Sequence, residues 1–450
     1  MPHPPRYAVV GTGSRCGMYV RALLGDFASH GTLVALCDTS PTRMAYWNGV
    51  AKEEYGTDPI PTFAAEHFEA MLREQRIDRV IVTTVDATHD GYICGAMEAG
   101  CDVITEKPMT TDREKVERIL ATRDRTGRSL RVAFNYRYAP RNSKAKELLQ
   151  SGVIGEVQSV HFEWLLNTTH GADYFRRWHR DKANSGGLMV HKATHHFDLV
   201  NWWIDGVPER VFGVGDLKFY GEKNAERRGD RYFTERGREH PDLASDPFAL
   251  DLAGNDELKA LYLDAEAESG YLRDRSVFSD PIGIEDDMSV IVRYRSRATM
   301  TYHLTAYSPW EGYRVAFNGN RGRIELECVE KPYVSAGEGD HNFARNVLGN
   351  AEAYEVAEPT TLTIHRHWQK PVRIDMPETN EGGHGGGDAL LLKDLFLPDP
   401  PADPLHRRAD HLAGAAAVLV GDAANRSFES GAMEAIPAAL LPSAPTAAAS

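Results

Sequence analysis

The glycine-rich segment near the start of the chain has the composition of a turn that binds phosphate groups. Residues 11–17 read GTGSRCG and directly follow the apolar run YAVVG. Gly11 at the first position permits a tight turn, and Gly13 lets the backbone amides around Ser14 and Arg15 approach a pyrophosphate. The N-terminus of the helix that should follow supplies a partial positive charge. The segment predicts a dinucleotide-binding turn, and the alternative is a plain strand-to-helix connection.

The third glycine and a later acid refine this prediction. Gly17 lies one position beyond the third small residue of the usual six-residue fingerprint, which falls here at Cys16. Asp38 ends the second apolar run, 21 positions after Gly17. A carboxylate there accepts hydrogen bonds from ribose hydroxyls and repels a 2′-phosphate, so we predict NAD rather than NADP as the cofactor. Arg43 could weaken that preference, and capping of the next helix is the alternative role for Asp38.

Side chains suited to proton transfer lie further along the chain. Lys107 follows a short apolar run, so it should lie at the end of a strand. His191 and His195 are four residues apart in a segment, 187–203, that we predict to be one long helix, so both rings should share a face. Imidazole suits proton transfer near neutral pH. The same spacing could hold a metal ion with a third ligand, but the glutamate of the usual HExxH pattern is missing, and we predict no metal.

A further group of polar and aromatic residues are candidates for binding a polar, carbohydrate-like substrate. Aromatic rings pack against C–H faces, and arginine binds oxygens in a bidentate manner. The candidates are Asn135, Tyr136, Arg137, Trp178, His179, Arg180, Lys192 and His384. The alternatives are that residues 176–182 form a solvated loop and that the glycine-rich segment 381–387 only caps a helix.

The pattern of the first third of the chain shows which elements would position these residues. Continuous apolar runs alternate with amphipathic segments as far as residue 134. Such βα alternation is typical of a doubly wound parallel sheet, so we predict an α/β dinucleotide-binding (Rossmann) domain over residues 1–134. In this fold, loops at the carboxyl ends of the strands line the ligand crevice.

The remainder of the chain has a different pattern. Alternating strand-like segments from about residue 288, with turn signals between them, favour an α+β domain with a large, mostly antiparallel sheet over residues 135–436. Residues 220–280 are charged and interrupted by proline and glycine, which indicates an insertion with short helices. Residues 437–450 are predicted to be a disordered tail.

Composition excludes several classes of partner. The formal net charge is −14, which argues against nucleic-acid and anionic-membrane partners. The five cysteines are few and odd in number, as is typical of reduced thiols in a cytoplasmic protein. We see neither a secretory signal nor an apolar run of about 18–20 residues, the length needed to span a bilayer. We therefore predict a cytoplasmic protein whose partner is a small molecule.

Three motifs together resemble the Gfo/Idh/MocA (glucose–fructose oxidoreductase / inositol dehydrogenase) family. They are the EKP sequence at residues 106–108, the segment TTVDATH at 83–89, which is similar to the family's TPxxxH, and Gly186-Gly187 with His195, Asp198 and Trp202. The resemblance implies that Thr84, His89, Glu106 and Lys107 lie at the cofactor, and that Lys107 lies near nicotinamide and substrate, where its cation polarises a hydroxyl or carbonyl oxygen. It also implies hydride transfer between nicotinamide and a sugar or cyclitol carbon, and a homodimer or homotetramer.

The sequence departs from the family at the position four residues before His195, where an aspartate is usual and His191 stands here. The resemblance makes His195 the proton acceptor or donor, but His191 could take that role. We expect an NAD-dependent oxidoreductase acting on a sugar, glycoside or cyclitol. One alternative is an NAD-dependent glycoside hydrolase that works by transient oxidation, elimination, water addition and re-reduction. Another is a non-enzymatic sensor. The presence of both Lys107 and His195 argues against this alternative.

Overall fold

The computed structural model describes residues 3–230, 234–239, 246–334, 360–376 and 384–441. Two sheets organise this part of the chain, one in each half. The residues 442–450 of the predicted tail lie outside the described residues, whereas Ala438–Leu440 form a single turn and Leu441 is buried. The prediction of disorder from residue 437 was therefore wrong for residues 437–441.

The first half folds as alternating strands and helices. The strands are β1 (Arg6–Val10), β2 (Thr32–Asp38), β3 (Thr62–Ala64), β4 (Arg79–Val82), β5 (Asp102–Thr105) and β6 (Leu130–Val132). The helices are α1 (Gly17–Leu24), α2 (Pro41–Tyr55), α3 (Phe68–Glu74), α4 (His89–Glu98) and α5 (Arg113–Thr126). Within the described residues the strand order is β3-β2-β1-β4-β5-β6 with every pair parallel, which confirms the predicted doubly wound sheet.

The crevice of this sheet lies where β1 and β4 run side by side. Their parallel register pairs Val10 with Val82, so both strands end at the same edge. After β1 the strand order proceeds to β2, and after β4 it proceeds to β5, which makes this pair the switch point of the sheet. Ligands of open α/β sheets bind at that point, outside the carboxyl ends of the strands.

The second half contains a larger mixed sheet. Its strands are β7 (Val157–Asn167), β8 (Pro208–Asp216), β9 (Asp287–Tyr294), β10 (Thr299–Ser308), β11 (Glu311–Gly319), β12 (Gly322–Lys331), β13 (Thr361–Arg366), β14 (Val372–Ile374) and β15 (Glu434–Ala435). In the described part of the chain their order is β14-β13-β12-β11-β7-β10-β9-β8-β15. The β7–β10 pair is parallel and the other pairs are antiparallel, which confirms the predicted sheet.

Helices cover one face of this sheet. The helices of the second half are α6 (Pro140–Gln150), α7 (Thr168–Arg176), α8 (Lys182–Ser185), α9 (Leu188–His191), α10 (Ala193–Trp203), α11 (Glu222–Arg228), α12 (Asp256–Leu258), α13 (Glu266–Ser269), α14 (Gly387–Phe396) and α15 (His411–Ser430). Of these, α7 and α15 lie directly on the sheet, whereas α12 and α14 lie against the first domain. The strand β9 alternates between buried and exposed residues because helices cover only this face. The outer face exposes Val214 and Ile291.

The segment predicted as one helix over residues 187–203 is broken. Helix α9 ends at His191 and α10 begins at Ala193, with Lys192 as the joint (φ −95°, ψ −49°). Lys192 keeps right-handed helical dihedrals, so the break is one residue long, but the two rings contact different groups: His191 lies against Asp86, and His195 stacks on Tyr136.

Two elements of the second half share a hydrophobic core with the first domain. In α14, the ring of Phe396 lies 5.4 Å from that of Tyr7 on β1. From the insertion, Leu258, Leu261 and Tyr262 belong to the same buried cluster. The insertion forms short helices, as predicted, and continues from α12 through a π-helical turn, Lys259–Leu263. The dinucleotide-binding half is thus enclosed by elements encoded far downstream.

Candidate active site

Glycine is required or favoured for a different structural reason at each of the three positions in the first loop. Gly11 has φ +87°, and a Cβ there would lie 2.7 Å from the backbone of Thr84. A Cβ on Gly13 would meet only the Tyr262 hydroxyl, at 3.5 Å, so the loop is open on that side. A Cβ on Gly17 would lie 2.5 Å from the Trp47 ring. This division into a tight turn, an open approach and close helix packing is what a dinucleotide-binding turn requires, so the residues fit that cofactor.

Asp38 organises the loop next to this turn. Its Oδ2 accepts hydrogen bonds from the backbone and hydroxyl of Thr12, and its Oδ1 accepts from the Ser40 amide at 2.9 Å. The helix α2 is capped by Ser40, whose hydroxyl accepts from the Arg43 amide at 3.2 Å, so capping is not the role of Asp38. The Arg43 guanidinium lies 3.8 Å from Asp38.

Glu106 ties the end of β5 to the glycine turn. Its Oε1 accepts from Arg15 Nε at 2.5 Å and from the Tyr19 hydroxyl at 2.8 Å, and its Oε2 accepts from the Lys107 amide at 3.1 Å. The Arg15 side chain therefore belongs to an ion pair that fixes the loop, while its amide remains at the mouth of the turn.

His89 joins two loops behind the site. One ring nitrogen lies 2.8 Å from the Pro108 carbonyl oxygen and the other lies 3.1 Å from that of Thr84. Burial lowers the pKa of His89. The ring therefore positions the loops that carry Thr84 and Lys107.

Lys107 points toward the second domain. Its ammonium lies 3.4 Å from the carbonyl oxygen of His191, and no ion pair within 4 Å holds it among the described residues. Burial lowers the pKa of Lys107 to about 8, although nearby Asp86 and Glu106 act in the opposite direction. A lysine with a pKa near the ambient pH can hold or give up a proton readily.

Asp86 and His191 form the other polar contact between the domains. Asp86 Oδ2 and His191 Nδ1 lie 2.5 Å apart, and both residues are buried. Burial raises the pKa of Asp86 and lowers that of His191, so the pair favours a shared proton over separated charges. Within the described part of the chain His191 Nε2 makes no hydrogen bond. The sequence analysis missed Asp86 as a site residue, although it lies inside the TTVDATH segment.

Aromatic side chains surround His191. The ring centroid of His179 lies 4.0 Å from that of His191, and Trp178 stacks on His179 at 3.6 Å. The ring of Tyr174 lies 5.5 Å from His191. Burial and the neighbouring His191 lower the pKa of His179. The predicted substrate residues Trp178 and His179 thus lie together with the predicted catalytic His191.

His195 and Lys192 lie around a second aromatic group. The His195 ring stacks on Tyr136 at 4.3 Å. The Lys192 ammonium lies 3.4 Å from the Tyr136 hydroxyl and 5.0 Å from the Trp164 ring centroid. Lys192 is buried, and it has no ion-pair partner within 4 Å in the described structure. Sequence reasoning missed Trp164, which an alternating strand pattern does not distinguish from an ordinary core residue.

Three of the predicted substrate residues have structural partners instead. Arg137 forms a bidentate ion pair with Asp198, Arg180 donates to the carbonyl oxygens of Pro281 and Ser276, and Asn135 donates to Asp388 at 2.6 Å. Each of the three side chains therefore donates to a protein group in this structure. Both arginines donate to protein groups in this structure, so their predicted role in substrate binding stays a prediction.

The remaining predicted residues add little to the site. The glycine-rich segment begins α14, and Gly387 packs against the Asn135 carbonyl, to which a Cβ would come within 2.4 Å. The side chain of His384 lies outside the described residues. The described residues contain no group of three or more metal-ligating side chains and no helix long and apolar enough to cross a membrane.

A glycine turn at the switch point of a parallel sheet, faced by a buried lysine and a carboxyl–imidazole pair, defines a dinucleotide-dependent oxidoreductase site. The family comparison agrees. Residues 5–134 match the model described as "Oxidoreductase family, NAD-binding Rossmann fold", and residues 146–435 match "Oxidoreductase family, C-terminal alpha/beta domain". The chain belongs to the Gfo/Idh/MocA oxidoreductase family, which confirms the resemblance of the motifs.

Individual relatives extend this result. The chain is 36% identical over 436 residues to the Bacillus subtilis protein YteT, named as an oxidoreductase, covering 93% of this chain and 94% of YteT. It is 27% identical over 217 residues to inositol 2-dehydrogenase of Rubrobacter xylanophilus, covering 46% of this chain and 54% of that enzyme.

Solved structures share the fold. The WlbA dehydrogenase of Bordetella pertussis, crystallised with NADH and UDP-GlcNAcA, has a TM-score of 0.61 at 16% identity and covers 96% of this chain and 99% of its own. An oxidoreductase domain protein from Kribbella flavida has a TM-score of 0.62 at 17% identity, with 96% and 99% coverage.

Proposed function

We propose that this protein is an NAD-dependent oxidoreductase that transfers a hydride between nicotinamide and a carbinol or keto carbon of a sugar, glycoside or cyclitol. The observation that carries the proposal is the position of the Lys107 ammonium beside the Asp86–His191 pair, next to the glycine turn. Relatives named inositol 2-dehydrogenase support a polyol as the substrate class.

Asp38 supports NAD over NADP. Its carboxylate lies at the end of β2, where a 2′-phosphate would meet a negative charge. Arg43 does not stand free to bind that phosphate, because its Nε donates to the Leu261 carbonyl at 2.9 Å and its guanidinium lies over the Tyr262 ring.

Lys107 and His191 divide the work on the substrate oxygen. The bound cofactor supplies the hydride acceptor for the carbinol carbon and the hydride donor in the reverse direction. The Lys107 ammonium donates a hydrogen bond to the substrate oxygen and stabilises its developing negative charge. His191 Nε2 takes the hydroxyl proton, while Asp86 holds the other side of the ring and stabilises its protonated form. The products are a carbonyl carbon and a proton on the imidazole.

His195 is the proton acceptor that the family resemblance implies. Its ring is stacked on Tyr136 and is 3% exposed, whereas His191 is hydrogen-bonded to a carboxyl group in the arrangement that orients a catalytic base. We therefore assign proton transfer to His191 first, with His195 supporting the Tyr136 wall of the site.

The surroundings suit a sugar-like ring. Trp178, His179 and Tyr136 offer flat faces for C–H groups, and Lys192 offers a buried cation for a hydroxyl or an acidic substituent. The outer face of the second sheet, where Val214 and Ile291 are exposed, is where we place the contact of a homodimer or homotetramer.

A second candidate function is redox-neutral glycoside cleavage by transient oxidation, elimination, water addition and re-reduction. The observation that favours it is the number of proton-carrying groups around His191, since Tyr174 and His179 both adjoin its ring. Such a cycle needs several proton transfers at neighbouring carbons.

One experiment separates these possibilities. Purified protein is incubated with a panel of sugars, cyclitols and chromogenic glycosides in the presence of NAD or NADP, and both NADH absorbance and released aglycone are followed. Formation of NADH with a polyol supports the dehydrogenase. Release of aglycone without net NADH supports the hydrolase, and neither signal with any substrate contradicts both.

A further inference from the structure

Residues 246–279, which we call the clasp, run from the second domain across the glycine turn of the first. The clasp packs there through Leu258 and Leu261, which are buried in one cluster with Cys16 and Trp47. Trp47 is the residue against which Gly17 packs. The clasp is therefore attached to the helix that follows the glycine turn by apolar burial, which alone favours a closed position.

The clasp places a phenol at the turn. The Tyr262 hydroxyl accepts a hydrogen bond from the Ser14 amide at 3.0 Å and lies 2.7 Å from the Ser14 hydroxyl. It is also the nearest group to the open side of Gly13. A tyrosine hydroxyl can donate one hydrogen bond while it accepts others, so it can bind an anionic oxygen at this turn.

A second anchor lies on the ribose side of the site. The Glu268 carboxylate accepts hydrogen bonds from the hydroxyls of Ser40 and Thr42 and, at 3.4 Å, from the Thr42 amide. Arg43 joins the same contact through its bond to the Leu261 carbonyl. Ser40 lies two residues after Asp38, and its amide donates a hydrogen bond to the Asp38 carboxylate. The clasp thus contacts both the glycine turn and residues 40–43, the segment after Asp38 that we call the ribose loop.

We propose that the clasp forms a third wall of the cofactor site, in which the Tyr262 hydroxyl accepts from the Ser14 amide and donates its own hydrogen to the pyrophosphate, while Glu268 holds the clasp against Ser40 and Thr42. A dinucleotide bound between these two loops would leave only when the Tyr262 and Glu268 contacts break. Cofactor exchange is therefore slow and is set by opening of the clasp. The proposal requires only dinucleotide binding by the first domain and none of the assigned substrate chemistry.

The test measures cofactor dissociation without any substrate. The full-length protein is loaded with NADH, mixed rapidly with a large excess of NAD, and the loss of bound-NADH fluorescence is followed over time. We expect Tyr262→Phe and Glu268→Gln each to raise the dissociation rate at least tenfold. Tyr271→Phe is the matched control, because it removes a clasp hydroxyl that makes no hydrogen bond within the described residues.

The outcomes are distinct. Faster release from both variants, with the wild-type rate retained in Tyr271→Phe, supports the proposal. Wild-type release rates in both variants overturn it, as does an equal acceleration in the control. The thermal unfolding midpoint of each variant is measured in parallel, and if Tyr262→Phe does not fold, the result for Glu268→Gln decides. Because no substrate is present, an incorrect substrate assignment cannot produce or hide any of these results.

Discussion

Asp86 Oδ2 and His191 Nδ1 lie 2.5 Å apart, although 105 positions separate them in the sequence. Asp86 follows a strand of the first domain, and His191 ends a short helix of the second. The contact therefore forms only when the two domains are assembled, and it lies where both domains face the glycine turn. If this pair transfers the substrate proton, as proposed, catalysis depends on the packing of the two domains.

This pairing predicts a ranking of variants. We expect His191→Asn to lower kcat by about 10²–10⁴-fold, as removal of a general base does, and Asp86→Asn to lower it less, because the ring remains but loses its carboxyl partner. His195→Asn should have a smaller effect than His191→Asn. Steady-state kinetics with NAD and the best polyol of the panel measure all three. If kcat falls further in His195→Asn than in His191→Asn, His195 and not His191 is the general base.

The pKa of Lys107 predicts the pH dependence. Burial lowers this pKa to about 8, so the ammonium that polarises the substrate oxygen is lost as the pH rises through that value. The pKa of His191 is lowered below its usual range, so the imidazole is already unprotonated there. We expect kcat/KM to fall above about pH 8. In Lys107→Arg, whose charge persists, that fall should disappear even if the rate is lower. An unchanged high-pH limb in this variant would contradict the role of Lys107.

Asp38 predicts the cofactor preference. Asp38→Asn keeps the shape but removes the charge, and we expect NAD affinity to fall by about tenfold, the value of roughly 1.5 kcal/mol for a hydrogen bond to a charged group. NADP affinity should fall less or rise, because the repulsion of the 2′-phosphate is removed. Binding is measured by titration with each cofactor. Equal losses for both cofactors in Asp38→Asn would refute the assignment.

The buried ion pair between Arg137 and Asp198 predicts that replacing Arg137 lowers the stability of the protein and not its affinity for substrate. Arg137→Met leaves the buried Asp198 without the partner that it contacts through both oxygens. Breaking a buried pair from one side costs about 3–5 kcal/mol. Urea unfolding should show this loss, and the double variant Arg137→Met with Asp198→Leu should recover part of it. A variant with wild-type stability and a raised KM would restore Arg137 to the substrate site.

The strands of the first domain were predictable because burial on both faces produces continuous apolar runs. The short edge strand β3 was not predicted, since its three residues are exposed or half-buried. Strand β8 was also missed, because Gly213 and Gly215 interrupt its pattern. Both glycines lie against the ring of Phe428, where a Cβ would come within 2.6 and 2.7 Å, and this packing partner is more than 200 positions away.

The site was predictable only where local spacing carries the chemistry. The glycine turn and Lys107 belong to contiguous motifs, so sequence alone located them. Asp86 was missed because its function depends on a partner in the other domain. The roles predicted for the arginines at positions 137 and 180 stay predictions, because composition does not reveal whether a guanidinium meets a ligand, a buried carboxylate or a buried carbonyl oxygen.

The shared core between the two halves constrains the evolution of this chain. Residues 250–262 and 391–396 supply part of the apolar covering of the first domain. A recombination event that replaced residues 1–134 with those of a distant relative would bring in a surface unmatched to this covering. The two halves therefore depend on each other for the burial of apolar side chains, even though each has a recognisable fold of its own.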